Sequence, residues 1–128
     1  MPPKTILIVD DMLTLRQPAR VTLEKAGYVV TEASNGQEAL QELAQSRPDL
    51  ILLDLLMPIM NGVEVLKHVR ADVTLDDVPV IVLTAVASKW QMSHYIELGA
   101  TDYLLKPFTP ATLLERVNLV LRKNELAA

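Results

Sequence analysis

Five short apolar runs punctuate the chain, at positions 5–9, 28–31, 50–53, 80–83 and 103–105, and each has the length and residue types of a β-strand. Between and after them, apolar residues recur at helical spacing: Leu15, Ala19, Leu23 and Ala26; Ala39, Leu40 and Leu43; Val63, Leu66 and Val69; Met92, Tyr95 and Ile96; Leu113, Val117 and Leu121. The period thus switches from strand to helix five times. Strands that are apolar along their whole length need cover on both faces, which helices on either side of a parallel sheet supply. The pattern predicts an α/β fold of (βα)5 type, a doubly wound five-stranded parallel sheet.

Punctuation agrees with this reading. Gly27 ends the first helix, Asn35-Gly36 opens the second, Arg47-Pro48 follows it, Gly99 closes the fourth, and Thr109-Pro110 serves as N-cap and first residue of the last. Pro18 cuts against the pattern, because inside a helix it removes a backbone donor and crowds the preceding turn. Either the regular helix starts near Arg16, or the helix is kinked with an irregular first turn. No repeat, low-complexity tract or linker breaks the chain, so residues 1–128 read as one domain with a core of about 4–123.

Composition narrows the classes of function. Half of the 128 residues are hydrophobic, enough for a real core. Twelve Lys and Arg against sixteen Asp and Glu give a net charge of -4, which disfavours direct nucleic-acid binding, since a phosphate backbone calls for a basic stripe. With no cysteine there is no disulfide and no thiolate metal site or nucleophile. The opening Met1-Pro2-Pro3-Lys4 shows no signal-peptide pattern, and no apolar run reaches membrane-spanning length. The expectation is a soluble cytoplasmic protein without membrane insertion.

In an open parallel α/β sheet, ligands collect beyond the carboxyl ends of the strands. The first run leads into Asp10-Asp11, the third into Asp54, the fourth into Thr84 and the fifth into Lys106-Pro107. A strand order of 2-1-3-4-5 sets strands one and three side by side and brings Asp10, Asp11 and Asp54 to one edge. Crowded carboxylates ionise at a cost unless a cation intervenes, and an all-oxygen set without His or Cys suits hard Mg²⁺. Mg²⁺ and Lys106 would neutralise a transferring phosphoryl group while Asp54 attacks it as nucleophile, with Thr84 donating to a phosphoryl oxygen. A carboxylate ionised at neutral pH needs no general base, so His68 and His94 are spare.

These residues resemble, in order and over essentially the whole chain, the receiver domains of bacterial two-component response regulators. Asp10-Asp11 is similar to the family's acidic pair. The stretch 54–62, Asp-Leu-Leu-Met-Pro-Ile-Met-Asn-Gly, is similar to its phosphoacceptor and following turn, Thr84-Ala85 to its hydroxyl switch residue, and Lys106-Pro107 to its lysine motif. The chain most resembles single-domain regulators of the chemotaxis (CheY-like) type, in the 70–79 connection and the stretch from Phe108-Thr109 to Leu113. The resemblance implies a flavodoxin-like fold, a metal ligand from the Leu56 backbone carbonyl and a cis peptide before Pro107. It also implies a histidine kinase or phosphotransfer protein as phosphoryl donor, and a phosphoacceptor rather than a turnover enzyme. Phosphorylation would draw Thr84 inward, Tyr103 would follow, and the face of helix four, strand five and helix five would change shape toward an output protein.

Each member has a plainer use when taken alone. Asp10-Asp11 could be a capping pair, Asp54, Met57-Pro58 and Asn61-Gly62 ordinary turn chemistry, Thr84 a helix cap, Lys106 a solvated residue and Tyr103 a half-buried strand aromatic. The combination carries the reading. Trp90 falls opposite Met92, Tyr95 and Ile96, on the side of His94, which predicts an exposed indole that either meets a partner or folds onto a neighbouring helix. Two positions depart from many relatives of this kind, Leu56 and Val86, two residues after Asp54 and Thr84, where polar side chains are usual. Apolar cover there implies a long-lived phosphoaspartate. A Mg²⁺ phosphohydrolase would want a second acid near Asp54, where only Leu55 and Leu56 stand. A flavin or dinucleotide carrier would want a Gly-rich loop, and the chain has four glycines in all. A receiver-like interaction module that never carries phosphate would keep the fold but abandon the chemistry, and the intact constellation argues against it.

Overall fold

The computed structural model describes residues 2–57, 59–85 and 88–127. In chain order its elements are β1 Thr5–Val9, α1 Leu13–Lys25, β2 Val29–Ala33, α2 Gly36–Gln45, β3 Leu50–Asp54, α3 Gly62–Ala71, β4 Val80–Thr84, α4 Lys89–Glu97, β5 Asp102–Leu105 and α5 Pro110–Ala127. The strands form one parallel sheet in the order β2-β1-β3-β4-β5.

Period-two alternation divides the core into two layers. Ile6, Ile8, Leu50, Leu52, Ile81 and Leu83 face Ala19 and Leu23 of α1 and Leu113, Val117 and Leu121 of α5. Leu7, Val9, Ile51, Leu53, Val80 and Val82 face Ala39 and Leu43 of α2 and Val65, Leu66 and Val69 of α3, with Tyr95 and Leu98 packed against them. Both faces of β3 and β4 are therefore buried, which is why they read as unbroken apolar runs.

Several boundaries differ from the sequence expectation. β2 runs two residues further, through Glu32 to Ala33, because it is an edge strand in which Ala33 is buried while Glu32 pairs with Arg16 and Arg20. β3 and β4 each continue one residue, so that Asp54 and Thr84 are themselves in the ladder, registered with Leu83 and Leu105. The first helix begins at Leu13 and carries Pro18 inside it, which overturns the Arg16 start, one of the two readings that the proline left open. The site tolerates the proline because Pro18 and Thr14, whose carbonyl loses its helical partner, are both exposed, so water can replace that bond.

The capping residues sit where their chemistry requires. Asn35, Asn61 and Ser88 accept from the third N–H of α2, α3 and α4, and Thr109 does so for α5. Gly27 and Gly99 end α1 and α4 at positive φ, +98° and +112°. Ile96, expected on the buried side of α4, is 46% exposed, leaving Met92 as the buried residue of that helix. None of the described helices is long and apolar enough to cross a membrane.

Candidate functional site

The carboxyl ends of β1, β3, β4 and β5 lie side by side, and their polar residues meet there. Asp10 follows the last residue of β1, is fully buried, and is held at every polar atom. Its N–H donates to the Ala33 carbonyl at 3.1 Å, its Oδ1 accepts from the Met12 N–H at 2.9 Å, and its Oδ2 accepts from Lys106 Nζ at 2.9 Å. Asp54 ends β3, 6% exposed, and its Oδ1 accepts from the same Lys106 ammonium at 3.1 Å. Asp11 stands at the mouth, exposed to solvent. One oxygen from each of Asp10, Asp11 and Asp54 falls within 4.8 Å of the others.

Thr84, buried, ends β4, and its carbonyl accepts from the Lys106 N–H at 2.8 Å, which ties the lysine's backbone to the fourth strand. The Lys106-Pro107 bond is cis, as the resemblance implied. Among the described residues, no buried side-chain nitrogen or oxygen lacks a hydrogen-bond partner.

Two buried carboxylates face one ammonium, and the titration behaviour follows. Burial, then the charge of Asp10, raises the Asp54 carboxyl above its usual range, and the bonds from Lys106 and the Leu56 N–H only partly offset this. Burial alone would lower the Lys106 ammonium, but its bonds to Asp10 and Asp54 outweigh that and leave it raised. The cleft thus carries an excess of negative oxygen that could bind a hard cation, and the donor set is all oxygen. The side chain of Leu56, two residues after Asp54, is 81% exposed.

A family model described as the response regulator receiver domain matches residues 6–118. The chain belongs to the response regulator receiver domain family. Its relatives include the phosphate regulon transcriptional regulatory protein PhoB of Pseudomonas aeruginosa, 42% identical over 120 residues, which are 94% of this chain and 52% of that protein. The alkaline phosphatase synthesis transcriptional regulatory protein PhoP of Bacillus subtilis is 40% identical over 125 residues, 98% of this chain and 51% of that one. This receiver domain therefore spans about half the length of these relatives. Among solved structures, the chemotaxis response regulator CheY4 of Vibrio cholerae superposes with a TM-score of 0.89 at 38% identity, covering 92% of this chain and 98% of that one. A CheY-like receiver domain protein of Methanospirillum hungatei superposes at 0.91 with 30% identity, covering 98% and 99%. The domain is homologous to response regulators of two-component systems, whose receiver domains partner with histidine kinases.

The remaining expected residues are placed as follows. Tyr103 lies half-buried on β5 in register with Val82, packed against the α2–α3 layer. Trp90 is 74% exposed and stacks on His94 of its own helix, ring centroids 5.5 Å apart and 9° from parallel, rather than on a neighbouring helix. Pro58 and Val86 lie outside the described residues. Two features escaped the sequence reading. Arg16 donates to the Asp10 carbonyl at 2.6 Å, and Gly62 packs its Cα against the backbone of Asp54 and Leu55.

Proposed function

We propose that this receiver domain is a phosphorylation-controlled switch, with Asp54 as phosphoacceptor. The observation that carries the reading is the Lys106 ammonium bonded to both Asp10 and Asp54 beside an exposed third carboxylate, Asp11. Asp10, Asp11 and Asp54, with the Leu56 backbone carbonyl, would hold Mg²⁺, which when bound offsets the charge of the carboxylates and of the incoming phosphoryl oxygens. An Asp54 oxygen attacks the phosphorus of a phosphohistidine on a histidine kinase or phosphotransfer protein. The P–N bond breaks and its electron pair returns to the imidazole nitrogen. Lys106 and the Thr84 hydroxyl then hold the phosphoryl oxygens.

A cation held by the cleft would favour the ionised, nucleophilic form of Asp54, against the upward push of burial and Asp10. Exposed apolar side chains shortly after Asp11 and Asp54, those of Met12, Leu13, Leu56 and Ile59, suit a protein donor better than a small free substrate. Thr84 and Tyr103 transmit the state to an output protein at the α4–β5–α5 face. On these elements Trp90, Ile96, Leu105 and Leu119 leave apolar surface exposed. In this reading residues 1–128 act as one receiver unit with a core of about 4–123, in the cytoplasm, as a phosphoacceptor without turnover and without direct contact to nucleic acid.

Intact-mass measurement after incubation with Mg²⁺ and a small acyl phosphate tests the proposal. One acid-stable, base-labile phosphoryl group should appear on the wild type and be missing from Asp54→Asn. Equal modification of both proteins would refute it.

A further inference from the structure

Asp10 sits one residue beyond the last registered pair of β1 and β2, Val9 with Ala33. The next ladder donor on that side would come from residue 35, but Asn35 turns away to cap α2 through its side chain. The carbonyl of a fully buried residue is thereby left beyond the sheet, where a missing partner is costly. Arg16 supplies one, donating from Nη1 at 2.6 Å.

The guanidinium is itself fixed. Its Nε donates to Glu32 Oε1 at 3.0 Å, and the other oxygen of Glu32 accepts from Arg20 Nη1 at 2.6 Å. The Arg16 and Glu32 side chains are 13% and 23% exposed, so this pair is largely shielded from water. Glu32 also offsets the charge of Arg16, which weakens it as a competing cation for the carboxylates. The peptide that Arg16 grips joins Asp10 to Asp11, so its orientation sets the directions in which both acids leave the backbone.

We propose that Arg16, held by Glu32, is a positioning residue for the metal cleft, aligning Asp10 and Asp11 through the peptide that links them. The inference rests on the reading of the cleft as a Mg²⁺ site. Residues that orient metal ligands typically contribute 10–100-fold to affinity.

The test is a calorimetric Mg²⁺ titration of the wild type, Arg16→Ala and Arg16→Lys, alongside phosphorylation rates measured across a Mg²⁺ series. Arg16→Ala should weaken Mg²⁺ about tenfold. The compact ammonium of Arg16→Lys cannot fork to both the carbonyl and Glu32, and should fall between the two while keeping the fold. In both variants the Mg²⁺ concentration for half-maximal rate should rise while the rate at saturating Mg²⁺ stays near that of the wild type. A folded variant, Arg16→Lys included, that binds Mg²⁺ within about twofold of the wild type would overturn the proposal, since losing a residue that orients metal ligands weakens binding by more than that. In that case the arginine only braces α1 against β2. A wild type that binds no Mg²⁺ would overturn the underlying reading as well.

Discussion

Replacing Gly62 with alanine should damage both the stability of the domain and the geometry of its cleft. A Cβ at this position would lie 2.2 Å from the Asp54 carbonyl oxygen, 2.8 Å from Leu55 Cα and 3.0 Å from the Asp54 carbonyl carbon. All three are backbone atoms, so no side chain can swing aside. The Gly62 N–H also donates to the Leu55 carbonyl at 3.0 Å, which pins the start of α3 to the end of β3. Reaching ordinary contact means moving the two apart by roughly an ångström. Overpacking of this kind costs ~1–3 kcal/mol, and the absence of any flexible neighbour places Gly62→Ala toward the upper end, about 2–3 kcal/mol.

With a urea m-value of roughly 2 kcal/mol/M, the unfolding midpoint should fall by about 1 M at unchanged slope. Because the displaced carbonyl belongs to Asp54, the variant should also bind Mg²⁺ more weakly. Gly27→Ala is the control. Nothing lies within 4 Å of its added Cβ and only the positive φ opposes it, so it should lose ~1–2 kcal/mol with the metal titration unchanged. Gly62→Ala within about 0.5 kcal/mol of the wild type, a change ordinary for surface positions, would refute the close-approach argument.

In metal-free buffer, Asp11→Asn should raise the melting temperature, because it removes one of three carboxylates crowded within 4.8 Å of each other. Asp11 is exposed, so the rise should be small, and a lowered midpoint would count against the three-carboxylate cleft. Ile59 is a β-branched residue at φ 71° and 75% exposed, so Ile59→Asn should stabilise by about 1 kcal/mol in chemical denaturation. A loss there would mean that the isoleucine side chain holds the loop. With leucine two residues after Asp54, the phosphoaspartate should outlast the mixing time by far. Loss within seconds at room temperature would sink that expectation.

Much of this molecule was legible in its sequence because burial on both faces of a parallel sheet leaves a simple mark. β3 and β4 show as unbroken apolar runs ending in Asp54 and Thr84. The topological rule then brings strand ends together without reference to any contact, which is how Asp10, Asp11, Asp54 and Lys106 could be grouped in advance. Edges and exceptions were less visible. The end of β2 is polar, and its extension depends on Arg16 and Arg20 reaching across from α1 to Glu32. Pro18 left a later helix start open, yet it and Thr14 are exposed, so water can replace the lost bond and the helix runs on through the proline. The crowding at Gly62 and the grip of Arg16 on Asp10 arise from distances between backbone segments that periodicity does not encode.

The central claim is that three strand-end carboxylates grip one divalent ion opposite a lysine that competes for the same oxygens. A calorimetric Mg²⁺ titration of the wild type, Asp54→Asn and Lys106→Met reads it directly. The account predicts one ion per wild-type chain, binding lost or severely weakened in Asp54→Asn, and tighter binding in Lys106→Met, where the ammonium bonded to Asp10 and Asp54 is gone. A wild type that takes up no Mg²⁺, or an affinity indifferent to both substitutions, would contradict it.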